Sequence, residues 1–269
     1  MLAWGAPRLR DLPWRASRDP WSILVAEVML QQTQVPRVIP KWTSFCAAYP
    51  TPAACAAASL GEVLRRWQGL GYPRRARNVW DAATLVVERH GGSLPDDLDA
   101  LRALPGIGPY TARAVLAFAF ERDVAVVDTN IARVLARLAG ERLTPRRAQA
   151  LADSFVPRGV GWAWNQMVMD LGATVCRPTP RCDGCPLAAS CAWHVAAHPV
   201  PDPAIGSAGV STHQAPYDGS DRQRRGDVLR ALHHGPRPAA HFPSSIVDGL
   251  VADRLVVRAG DLLDLLDLP

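Results

Sequence analysis

At 269 residues, with 48% hydrophobic and 20% charged side chains, the chain has apolar material for one large core or a core plus a small second domain, which excludes disorder as its main theme. No apolar run approaches the ~18 residues of a membrane helix, and the N-terminal MLAWGAPRLRDLPW lacks the apolar stretch of a secretion signal. A cytoplasmic protein with no membrane partner is therefore expected. The formal charge is +5, and the excess is uneven: residues 1–194 carry a net +7 and residues 195–269 a net −2. A basic surface suits a phosphate-backbone partner, although on charge alone a plain solvated surface fits equally well. Lys41 is the only lysine, so chemistry that needs a side-chain amine has one place to find it.

From about residue 20 to 170 apolar residues recur at three and four positions, as in SILVAEVMLQQ, LGEVLRRWQGL and ARNVWDAATLVVERH. Breaks fall at Asp19-Pro20, Tyr49-Pro50-Thr51-Pro52, Gly91-Gly92-Ser93, Leu104-Pro105-Gly106 and Thr144-Pro145. The pattern predicts an all-α domain of many short helices over residues 1–194. Four of the six cysteines, Cys176, Cys182, Cys185 and Cys191, fall in residues 176–191 with the spacing C-x5-C-x2-C-x5-C, which in a reducing compartment points to metal binding. Zinc accepts four thiolates, and so does an iron–sulfur cluster. Residues 195–217 are rich in Pro, Gly and Ser and predict a linker. Beyond it, residues 218–269 predict two helices and a short hairpin around Ala259-Gly260, a small winged-helix-like appendage that gains stability by docking on the first domain.

Within LPGIGPYTARAVLAFAF, Gly106 and Gly108 are placed to turn tightly and let a helix N-terminus present backbone N–H groups to an anion. That is the physics of a helix-hairpin-helix on a DNA phosphate. Eighteen residues beyond Tyr110 lies Asp128, in VAVVDTNIARVLARL. Taken alone, an acid in that position is an N-cap.

In order, LPWRASRDPWSILVAEVMLQQTQVPRVIPKW, WQGLGYPRRARNV, LPGIGPYTARAV, VVDTNIARV, WNQMVMDLGATVC and the cysteine cluster resemble a MutY-type adenine DNA glycosylase of the helix-hairpin-helix superfamily, over about residues 12–193. The resemblance implies a two-lobed, all-α fold with an iron–sulfur lobe holding a [4Fe–4S] cluster on the four cysteines. It further implies a monomer acting on double-stranded DNA that contains a mismatched adenine, and hence association with the nucleoid. Glu27 matches the general acid that protonates adenine at N7. It lies on the apolar side of its helix, where a carboxyl group resists ionisation, as an acid working near neutrality requires. Asp128 matches the carboxylate that stabilises the oxocarbenium-like sugar. Tyr110 stands where lyase-active members carry a Schiff-base lysine, so a monofunctional glycosylase is implied. Tyr110 and Asn130 are expected beside Asp128. Gln31, Gln32, Thr33, Leu70 and Tyr72 resemble residues that fill the gap left by a flipped adenine and contact the opposite base. Trp14 and Arg15 match residues lining the adenine pocket, and Asp170 an acidic residue contacting the base.

The chain departs from the family's pattern in three places. Pro73 follows Tyr72 where a second Tyr is common, the first cysteine spacer is one residue short, and after residue 195 there is neither the length nor the strand content of a Nudix-like domain. Opposite-base recognition then rests on the catalytic domain and the short tail. Two other readings compete with adenine excision: a thymine or uracil mismatch glycosylase of the same superfamily, and a non-catalytic DNA-binding module.

Overall fold

The computed structural model describes residues 1–210 and 216–266. Helices begin where a short polar side chain meets proline or an acid. Asp19 accepts from the Ser22 N–H ahead of α1 (Pro20–Leu30), and α2 (Val35–Ala48) follows the Gln31–Gln34 turn. Ser59 and Glu62 form a reciprocal capping box on α3 (Leu60–Trp67). The longest helix, α4 (Arg74–His90), stops at left-handed Gly91. The chain continues through α5 (Pro109–Phe118), α6 (Thr129–Ala139), α7 (Pro145–Phe155) and α8 (Gly161–Thr174), then α9 (Asp221–Leu232) and α10 (Ser244–Ala252). Among the described residues, no helix is long and apolar enough to cross a membrane.

These elements gather into two compact units, each made of separated stretches of chain: Met1–Arg18 with Pro109–His213, and Asp19–Gly108 with Gln214–Pro269. In the second unit α1 is buried on nearly every side, from Trp21 to Met29. It packs with α2 and α4 around Leu24, Phe45, Trp67 and Val79. The C-terminal segment belongs to this unit and does not stand apart. It runs α9, β1 (Arg237–Pro238), α10, β2 (Val256–Ala259) and β3 (Leu262–Leu265), with sheet order β1-β3-β2 and both pairings antiparallel. Helix, strand, helix and hairpin in that order give a winged-helix-like arrangement, the hairpin turning at Gly260 (φ +61°). Its own core is small, built on Leu232, Leu250, Leu255 and Leu263. It is tied to the helices of its unit by Arg77, which donates to the Asp253 carbonyl at 2.7 Å, and by the Gly61 N–H, which donates to the Leu266 carbonyl at 2.8 Å.

In the first unit α6 packs on α7 and α8. Within the stretch 195–217, expected as a linker, residues 195–201 are exposed and residues 202–208 are held against the rest of the first unit. Ala204 and Ser207 are buried, Ala208 donates its N–H to the Leu143 carbonyl, and the Leu143 N–H donates back to Ser207 Oγ at 2.9 Å. Asp202 takes the guanidinium of Arg137 at 2.6 Å, and that arginine side chain is only 2% exposed. Over residues 202–208 the chain is thus a packed strap.

Burial pushes the Asp202 carboxyl up, but the Arg137 guanidinium and the Ala204 N–H outweigh it and hold it below its usual range. The stabilisation is thus complete above the unfolded carboxyl range and lost as pH falls below about 4. Asp202→Ala strands a buried cation and is expected to lower unfolding free energy by about 3 kcal/mol at pH 7, with the difference from wild type shrinking in acid. Urea denaturation at the two pH values measures both.

Candidate active site

In the first unit the apolar run Ala125–Val126 leads into Asp128, the N-cap of α6. One carboxylate oxygen accepts from the Ile131 N–H at 2.7 Å and the other from Asn130 Nδ2 at 2.8 Å. Asn130 Oδ1 in turn accepts from Arg133 at 2.9 Å, and Arg133 is fastened to the carbonyls of Gly172 (2.7 Å) and Cys176 (2.6 Å). A Cβ at Gly172 would lie 2.7 Å from Asn130 Cβ, so glycine on α8 is what lets Asn130 sit there. Burial raises the Asp128 carboxyl above its usual range, against the Ile131 and Asn130 hydrogen bonds and the nearby charge of Arg133. Tyr110 is half-buried on α5 of the same unit, while Lys41 lies on α2 in the other.

Arg15 and Asp170 meet directly, at 2.7 and 2.9 Å, and Arg10 adds its N–H and Nε to the same carboxylate. Asp170 is 2% exposed with both oxygens engaged. Shared by two arginines, this buried carboxylate anchors the N-terminal segment. Trp14, next to Arg15 in the chain, is buried.

In the second unit Glu27 is 5% exposed, within the apolar packing of α1. The turn after α1 and the Gly69–Tyr72 turn are joined: Thr33 Oγ1 donates to the Leu70 carbonyl at 3.2 Å. Arg75 binds both turns. It donates to the carbonyls of Val28, Met29 and Gln31 on one side, to those of Leu70 and Gly71 on the other, and to Thr33 Oγ1. Its guanidinium also lies over the rings of Trp67 and Tyr72. Burial lowers its pKa to about 10. Sequence reasoning missed Arg75, although it stands in register with Val79, Ala83 and Val86 on the buried stripe of α4, where a charge has to be fully engaged. Gln32 (φ +55°) and Tyr72 (φ +48°) both adopt left-handed backbone conformations at the tips of the two turns. Leu70, expected among the residues that fill the gap in the duplex, is 3% exposed and belongs to the core; its carbonyl, not its side chain, shapes the turn.

The hairpin after Leu104 closes with the Ile107 N–H on the Leu104 carbonyl. Gly106 is left-handed (φ +74°), and a Cβ there would lie 2.4 Å from Asn78. Gly108 is not left-handed; it is exposed, with open space where a Cβ would be.

Cys176, Cys182, Cys185 and Cys191 line one cavity with Arg137 and Trp193. Arg137 donates to Cys176 Sγ at 3.4 Å. Burial raises the pKa of the Cys182 and Cys185 thiols, and the neighbouring thiols add to it. Such crowding favours the thiolate state once a cationic, thiophilic centre neutralises it, so the donor set fits an iron–sulfur group or zinc. His198 Nε2 lies 3.5 Å from Cys182 Sγ, and ligand atoms of Cys182, His194 and His198 fall within 4.8 Å of one another. The two histidines follow Cys191 in CAWHVAAH, a spacing that sequence analysis passed over.

The family model for the HhH-GPD superfamily of base excision DNA repair proteins matches residues 25–158. The adenine DNA glycosylase of Mycobacterium tuberculosis is 41% identical over 281 positions, spanning 97% of this chain and 90% of that one. Among solved structures, a thermostable thymine-DNA glycosylase matches with a TM-score of 0.70 at 30% identity, over 72% of this chain and 93% of that one. A trapped endonuclease III–DNA covalent intermediate matches with a TM-score of 0.64 at 26% identity, over 74% of this chain and 94% of that one. The chain therefore belongs to the helix-hairpin-helix superfamily of base excision repair glycosylases and, within it, to the MutY-type branch.

Because burial raises the Asp128 pKa, the native state holds this proton more tightly than the unfolded chain does. Stability from the neutral carboxyl is present below the unfolded range near pH 4 and is lost as pH rises through the raised value. Asp128→Asn removes that titration. Wild type is expected to lose stability relative to Asp128→Asn as pH rises from about 4 to 7, read as diverging melting temperatures; parallel curves contradict the assignment.

Proposed function

We propose that this protein hydrolyses the N-glycosidic bond of adenine mispaired with 8-oxoguanine or guanine in double-stranded DNA, as a monomer. The observation that carries the reading is the carboxylate of Asp128, held at a helix N-terminus by the Ile131 N–H and Asn130 with no lysine in its unit. Glu27 donates a proton to adenine N7, the N9–C1′ bond breaks, and its electron pair goes to the departing base. Asp128 supports the positive charge that develops on the sugar, by its charge or by a transient bond, until water adds at C1′ and gives up a proton. Without an amine at Tyr110, no Schiff base forms and the product is an intact strand with an abasic site. Gln31, Gln32, Thr33 and Tyr72 fill the gap left by the flipped nucleotide, and the Gly106 hairpin receives a phosphate. Trp14 and Arg15 border the adenine pocket. Cys176, Cys182, Cys185 and Cys191 would hold a [4Fe–4S] cluster, whose chemistry there is structural, fixing the loop from which Arg177 and Arg181 present positive charge to DNA. Support for DNA as partner comes from the neighbouring endonuclease III complex.

The match to a thymine-DNA glycosylase favours thymine or uracil excision as a second reading. Glu27 separates the two, since pyrimidine release needs no N7 protonation. Single-turnover assays on A:8-oxoguanine, A:G, T:G and U:G duplexes, with and without alkali, are expected to show adenine release with strand breaks only after alkali. Asp128→Asn and Glu27→Gln are each expected to slow that release about a hundredfold or more. Release of thymine or uracil alone overturns the adenine assignment, and tight binding without release overturns the enzymatic one. Iron and acid-labile sulfide in equal amounts are expected in the purified protein; zinc in their place excludes the cluster.

A further inference from the structure

The winged-helix-like segment has no part in the chemistry above, yet one of its side chains meets the Gly69–Tyr72 turn. Arg222, in the first turn of α9, donates to Tyr72 Oη at 3.0 Å. Its guanidinium lies 5.9 Å from the centroid of the Tyr72 ring and 5.9 Å from that of Tyr217, and it also donates to the Pro216 carbonyl at 3.3 Å. From within the helical part of the unit, Arg75 lies 5.4 Å from the same Tyr72 ring. The Tyr72 ring thus has two guanidiniums within about 6 Å of its centroid, one buried and one half-buried, of which the half-buried one bonds its hydroxyl, on a residue whose backbone is left-handed.

This contact rests on a fixed platform. Asp253 accepts from Arg225 of α9, lies 3.6 Å from Arg74 of α4, and offers its carbonyl to Arg77. The last strand is tied through the Gly61 N–H to the Leu266 carbonyl. A charged donor on a rigid support fixes a ring more firmly than a neutral one on a mobile tail. The need for such support is local: Pro73 follows Tyr72 and brings no second aromatic ring to its side. Tyr217, 49% exposed, extends the same group outward as a ring beside a cation, a surface suited to a nucleobase or a phosphate.

We infer that Arg222 is a positioning residue for Tyr72, so that the winged-helix-like tail takes part in discriminating the base opposite the excised adenine. The inference rests on the proposed reading of Tyr72 as a residue that fills the duplex. It assigns the tail a role in specificity: Arg222 sets the ring's orientation, and the ring's fit against 8-oxoguanine or guanine sets the preference.

The test uses the full chain and duplexes bearing a non-hydrolysable 2′-fluoro-adenosine opposite 8-oxoguanine or guanine, with single-turnover base release measured in parallel on ordinary adenine. Arg222→Ala is expected to reduce the binding preference for 8-oxoguanine by about three- to tenfold, the range of one hydrogen bond. Tyr72→Phe, which removes only the accepting oxygen, is expected to do the same. The double variant is expected to lose no more than either single change, because all three delete one interaction. Arg222→Lys is expected to recover part of the preference. Equal weakening on both duplexes, additive losses in the double variant, or an unchanged preference overturns the inference. Should Arg222→Ala fail to fold, Tyr72→Phe reads the same bond from its other end. Absence of base release from every duplex overturns the glycosylase reading, while the binding arm still decides the role of Arg222; a wild type without any opposite-base preference overturns that role alone.

Discussion

A guanidinium taken out of water carries five N–H donors and a permanent charge, and each donor left without an acceptor is costly. Arg75, Arg133 and Arg137 carry that constraint into this protein, and much of the surrounding backbone is arranged to satisfy their donors, Arg75 Nε alone staying buried without a partner among the described residues. Arg75 collects five carbonyls from two turns. Arg133 takes the carbonyls of Gly172 and Cys176 together with Asn130. Arg137 takes those of Arg177 and Pro178 together with Asp202. Carbonyls at turns and helix ends have no intrahelical partner, so irregular segments and buried arginines solve each other's problem. The result is that segments with little side-chain packing of their own acquire a defined shape.

That exchange explains where rigidity sits. The turns at Gln31–Thr33 and Gly69–Tyr72 have left-handed residues at their tips, a conformation that needs outside support. Arg75 supplies it from below, and the aromatic faces of Trp67 and Tyr72 close over the same guanidinium. In the first unit, Arg137 holds the start of the cysteine loop to the strap that follows the loop, and it stacks 4.7 Å from the Trp193 ring. The loop is therefore fixed at both ends by one side chain.

Most of this was legible in the sequence as far as local rules reach. Caps at Asp19, Asp128 and Thr144 and the hairpin at Gly260 are set by residues a few positions apart, and they fall where the pattern puts them. The family, too, is carried by ordered motifs and is borne out. What stayed hidden depends on partners distant in the chain. Asp170 reads as an available acid until Arg10 and Arg15, some 155 residues away, close on it. Leu70 reads as a wedge until its burial is seen, and the Pro-rich stretch after Val195 reads as a tether because nothing local announces Asp202 as the partner of Arg137. Composition describes what a segment prefers alone, and a single long-range ion pair overrides it.

Asp128 shows the same opposition within one side chain. The helix N-terminus, the Asn130 amide and Arg133 all favour its charged form, yet burial prevails and its pKa rises. A carboxylate fully satisfied by water would stabilise the fold more and a nascent cation less, because water screens both interactions. Partial desolvation leaves a charge whose strongest unmet interaction is with a positive centre that forms only during bond cleavage. The hydrogen bonds from Ile131 and Asn130 fix the direction of the carboxylate without neutralising it. Folding thus accepts a destabilised anion at one position, and the rest of α6, pinned through Arg133 and Arg137, supplies the packing that offsets it.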